Sequence, residues 1–79
     1  MNLYLISQNE NIGYDTHDSA VVCASDEQAA RQINPGYGDW GKGSTWCSSP
    51  EHVTVRYLGP TAGEPEQGVI LASFNAFIW

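Results

Sequence analysis

Apolar and polar positions alternate along this chain in a way that predicts four strands and one helix. Leu3-Tyr4-Leu5-Ile6 runs without a polar break, which predicts a first strand at 3–7, covered on both faces. Asn9-Glu10-Asn11-Ile12-Gly13 and the polar run to Asp18 read as a loop or hairpin connection, rich in residues that tolerate a left-handed backbone. Ala20-Val21-Val22-Cys23-Ala24 is β-branched at its centre and predicts a second strand antiparallel to the first. Ser25-Asp26-Glu27-Gln28 then matches a capping box, with Ser25 as the cap and Gln28 reaching back to it. Ala29, Ala30 and Ile33 make a narrow apolar stripe, Arg31 and Gln32 face water, and Asn34-Pro35-Gly36 ends the helix.

Beyond the helix the pattern loosens. Gly36, Gly38, Gly41 and Gly43 alternate with Tyr37, Trp40 and Trp46, which predicts a long loop folded over the open side of the sheet and anchored by its aromatics. Val53-Thr54-Val55-Arg56-Tyr57 has the period of a half-buried third strand with Val53, Val55 and Tyr57 inward. The segment from Gly59 to Gly68 is a turn-rich connection, and 69–74 supplies a fourth strand. Phe77-Ile78-Trp79 closes the chain on an apolar tail, either docked on the core or available to a partner. The order β-β-α-β-β predicts an α+β fold, a four-stranded, mainly antiparallel sheet with one helix on one face, in a single domain over 1–79. It leaves the strand order open.

Charge narrows the function classes. Nine Asp and Glu against three Lys and Arg give a net charge of −6 in 79 residues, too few cations to grip phosphate or an anionic membrane. With 42% hydrophobic and only 15% charged residues, the chain is neither a disordered acidic tail nor a coiled coil. The N-terminus lacks a basic n-region, and no apolar run approaches a membrane span, so a cytoplasmic protein is the simplest expectation. Cys23 and Cys47 are too few for a disulfide framework and are expected reduced.

Candidate chemistry is thin. Cys47 and His52 are the minimum of a cysteine nucleophile, but their spacing matches no catalytic motif and a domain this small offers little cleft. Asp15, His17 and Asp18 could hold a divalent metal, yet zinc sites recruit further Cys or His, and turn-forming Asp is the simpler reading. Lys42-Gly43-Ser44 lacks the strand and helix of a phosphate loop. Tyr37, Trp40 and Trp46 have no cationic groove beside them for stacking bases, and Trp40 and Trp46 read first as core seals. No metal, cofactor or catalytic residue is expected. What remains is the acid: Glu10, Asp15, Asp18, Asp26, Glu27 and Asp39 crowd the first half with Arg31 as the lone cation among them. If they converge at one end they form a negative patch for a basic partner, with Trp40 as a candidate anchor.

The runs Leu3-Tyr4-Leu5-Ile6-Ser7-Gln8, Gly13-Tyr14-Asp15-Thr16, Ser19-Ala20-Val21-Val22, Trp46-Cys47-Ser48-Ser49-Pro50 and Ala72-Ser73-Phe74-Asn75-Ala76 resemble a family of small phage and prophage proteins. None of these blocks is a chemical motif. In size and acidity the chain is similar to the anti-CRISPR proteins of type I systems. That resemblance implies a non-enzymatic inhibitor in the cytoplasm of a bacterial host that covers the basic DNA-binding surface of a Cascade complex as a partial DNA mimic; the chain is expected to be a monomer, although its sequence leaves the oligomeric state open. The apolar ending Phe77-Ile78-Trp79 departs from the polar terminus the resemblance would lead one to expect. The alternative is an interaction module that uses Tyr37, Trp40 and the C-terminal aromatics as hot spots.

Overall fold

The structure is a computed structural model that describes residues 1–38, 40, 41 and 44–75, Asn75 by its backbone alone. The fold is α+β, as the pattern predicts. β1 (Asn2–Ser7) and β2 (Thr16–Ala24) form a central antiparallel hairpin, with Leu5 opposite Val21 and Ile6 opposite Ala20. β3 (Thr54–Pro60) and β4 (Gly68–Asn75) are added antiparallel on opposite sides, giving the order β3-β1-β2-β4. Consecutive strands β3 and β4 therefore lie on opposite edges, and the connection 61–67 crosses the end of the sheet. No helix among the described residues is long and apolar enough to cross a membrane.

Residue parity sorts the sheet into two faces. Tyr4, Ile6, Ala20, Val22 and Ala24 point inward and are buried, beneath α1 (Glu27–Arg31) and the long loop. Trp46 and Cys47 from that loop are fully buried in the same core, which is how a glycine-rich segment is held over the sheet. Trp40 packs half-buried against it, while Tyr37 is 83% exposed. The opposite face carries Leu3, Leu5 and Val21, half-buried, and Leu71, 68% exposed. β1 is thus covered on one face only by the described residues. Its unbroken apolar run reflects a second, open apolar face and not a second covering layer.

The helix departs from the sequence reading in three details, the first being its end: it stops at Arg31 with Gln32 as C-cap, ahead of Ile33 and Asn34-Pro35-Gly36. Asp26, and not Ser25, is the N-cap: its backbone is extended and its carboxylate accepts from the Ala29 amide at 2.8 Å. A charged acceptor makes the stronger cap, and shifting the cap by one puts Ala29 where a capping box needs Gln. Arg31 does not simply face water. Its guanidinium is half-buried and donates to the carbonyls of Pro50 (3.4 Å) and Val53, tying the helix to a short 3-10 turn, Pro50–His52, and to the approach to β3.

Candidate functional site

The topology decides where the acidic residues can meet. Loop 8–15 leaves one end of the sheet, and Asp26 follows the other end of β2. A nine-residue strand at about 3.3 Å per residue separates them by roughly 30 Å. Glu10, Asp15 and Asp18 are therefore brought to one end and Asp26 and Glu27 to the other; the single convergent patch does not form. Asp39 lies outside the described residues, as does the tail Phe77-Ile78-Trp79.

The loop end is built on Gln8. Buried at the close of β1, its side-chain carbonyl accepts from the amides of Glu10 (3.0 Å) and Asn11 (2.8 Å), and its amide donates to the carbonyls of Asn11 and His17. Asn11 in turn donates to the carbonyls of Ser44 and Trp46, locking the hairpin loop to the long loop. Thr16 donates to Gly13 at 2.6 Å, and Asp15 between them adopts a left-handed backbone (φ 59°) that Asp tolerates. Asp15 projects exposed, whereas Asp18 sits half-buried at a bulge in β2.

Glu10 is exposed but engaged. The Ser48 amide donates to it at 2.7 Å and the Ser48 hydroxyl lies 2.9 Å from both carboxylate oxygens. These bonds, and more weakly the neighbouring His52, hold its carboxyl below the usual range. His52 Nδ1 lies 2.9 Å from Ser48 Oγ and 3.2 Å from Glu10 Oε1. A Ser-His-carboxylate relay needs nucleophile and carboxylate on opposite ring nitrogens. Here both meet the same one, so the trio is a clasp between two loops.

Cys47 does not join this clasp. It is buried, its thiol contacts the Ser49 carbonyl at 3.4 Å, and burial pushes it upward, away from the reactive thiolate. Both cysteines are free. His17 turns to Thr45 Oγ1 (3.3 Å) and the ring of Phe74 instead of toward Asp15, and the described residues include no trio of His, Cys, Asp or Glu placed to hold a metal.

The opposite end gains residues that the sequence reading left out. β3 ends opposite the start of β1, so the connection 61–67 crosses the end of the sheet from which β2 leads to α1, bringing Glu64 and Glu66 to the end that holds Asp26 and Glu27. The turn Pro50–His52 likewise brings Glu51 to the loop end. Strand order is what pairs these segments, and local patterning carries no trace of it. Across both ends Glu10, Asp15, Asp26, Glu27, Glu51, Glu64 and Glu66 are exposed; among the described cations only Arg56 is, because Arg31 is turned onto backbone carbonyls. No family model, curated protein or solved structure matches the chain.

Proposed function

We propose that the protein is a non-enzymatic binding protein that sets its acidic ends against a basic, DNA-binding surface of another protein in the cytoplasm of a bacterial host. The observation that carries this reading is the imbalance of surface charge: among the described residues, seven exposed carboxylates face solvent with one exposed cation. Two acidic ends about 30 Å apart suit a groove that holds about one turn of duplex. A type I Cascade complex is the partner that the family resemblance suggests, with the chain standing in for part of the DNA.

Charge reversal tests the reading end by end. Asp15→Lys with Glu51→Lys alters one end, and Glu64→Lys with Glu66→Lys alters the other without touching the helix cap. Each pair should weaken capture by Cascade at least tenfold at low salt, with circular dichroism unchanged. Capture that survives both pairs sinks the proposal. A second reading, an interaction module with aromatic hot spots, draws support from Tyr37, left-handed (φ 56°) and 83% exposed. It predicts that Tyr37→Ala removes binding and that salt does not.

A further inference from the structure

The outward face of the sheet is built for burial. Antiparallel sheets that leave one face in water carry polar residues there. Here Leu3 and Leu5 of β1, Val21 of β2 and Leu71 of β4 point outward, with Leu5, Val21 and Leu71 paired side by side across three strands. The connection 61–67 closes one end of this face, where Cys23 is buried with its thiol 3.9 Å from the Pro65 carbonyl. Ser7, Ser19 and Ser73 form a row across the same three strands at the other end. Between them lies an open groove of about 180 Å³, lined by Leu5, Ser19, Val21, Leu71 and Ser73.

We propose that this face is the interface of a reversible homodimer, two copies packing sheet against sheet about a two-fold axis. Three observations point to a second copy. Leu71 is 68% exposed and lines the groove, so one patch offers both a projecting apolar side chain and a hollow, as an isologous contact requires. The paired outward positions of β1, β2 and β4 hold no carboxylate, so this is where two chains of net charge −6 can touch without opposing like charges. Three strands about 4.8 Å apart and about six residues long outline roughly 300 Å² per copy, or about 600 Å² in all, with β3 bringing Arg56 opposite Leu5 at the edge of the patch. That falls short of the roughly 1,200 Å² of stable complexes and fits a weak, concentration-dependent dimer.

Salt separates this contact from the acidic docking proposed above. Screening weakens attraction between carboxylates and a basic partner, but it relieves repulsion between two acidic chains. The test is sedimentation of the whole chain from about 10 μM to about 1 mM, at about 50 and about 500 mM salt. The wild type should move toward dimer mass with concentration, more so at high salt. Leu71→Glu and the uncharged Leu71→Ser should each associate at least tenfold more weakly with unchanged circular dichroism, and Tyr37→Ser should associate like wild type. A wild type that stays monomeric throughout overturns the proposal. So does a Leu71→Glu chain that associates as tightly as wild type.

Discussion

Replacing Arg31 by Met keeps an unbranched apolar stem in place and removes only the guanidinium. Two kinds of interaction go with it. The bonds to the Pro50 and Val53 carbonyls join α1 to the approach to β3, and the side chain is only 26% exposed. One hydrogen bond to a charged donor is worth about 1.5–3 kcal/mol, and the bond to Pro50, long at 3.4 Å, adds little to the one to Val53. The ion pair with Glu27 is long at 3.8 Å, and the Glu27 side chain is 62% exposed, which limits it to a few tenths of a kcal/mol. The carbonyl bonds therefore dominate, and Arg31→Met should cost about 2 kcal/mol. For a domain of this size that lowers the thermal midpoint by roughly 10 °C. Glu27→Gln should lower it by less than about 3 °C. Arg31→Lys should fall between, because the shorter lysine keeps a charge that can donate to the carbonyls but lacks the reach and the fixed planar geometry of the guanidinium. Thermal melts followed by circular dichroism read all three. Equal losses in Arg31→Met and Glu27→Gln would show that the ion pair carries the interaction, and the inward role of Arg31 would fail.

Three further outcomes follow from the core and the clasp. Trp46→Ala should cost about 3–5 kcal/mol of a total near 4–12, abolishing or steeply lowering the cooperative melt; a loss under about 1 kcal/mol contradicts the burial of Trp46. Glu10 has its carboxyl held down in the folded chain, so its contribution is present above its ordinary value of 4.5 and lost as pH falls through the lower folded value. The gap in melting midpoint between wild type and Glu10→Gln should therefore hold from pH 7 to about pH 5 and close under acid, and a gap that widens as pH falls contradicts the clasp. Cys47 should react with a disulfide reagent at pH 8 far more slowly in the folded chain than in denaturant; equal rates would place the thiol at the surface.

The elements were legible because each rests on local chemistry. The unbroken Leu3–Ile6 run and the β-branched centre of β2 are set by neighbours in sequence. The aromatic anchoring of the long loop was legible too, since a glycine-rich segment with Trp46 has few other ways to be ordered. What could not be read is what depends on strand order. Glu64 and Glu66 join Asp26 and Glu27 only because β3 and β4 occupy opposite edges. Asp15 and Asp26 are parted by the full length of β2, although eleven residues in sequence would allow them to touch in a loop. The inward turn of Arg31 onto the Val53 carbonyl is another long-range event, invisible to helical periodicity.

One binding measurement bears most directly on the acidic-docking proposal: titration of the chain against an immobilised type I Cascade complex at low and moderate salt, with duplex target DNA as competitor. Docking of the acidic ends predicts capture that weakens as salt rises and that DNA and the chain exclude each other. No capture at low salt, or capture indifferent to both salt and DNA, would contradict it.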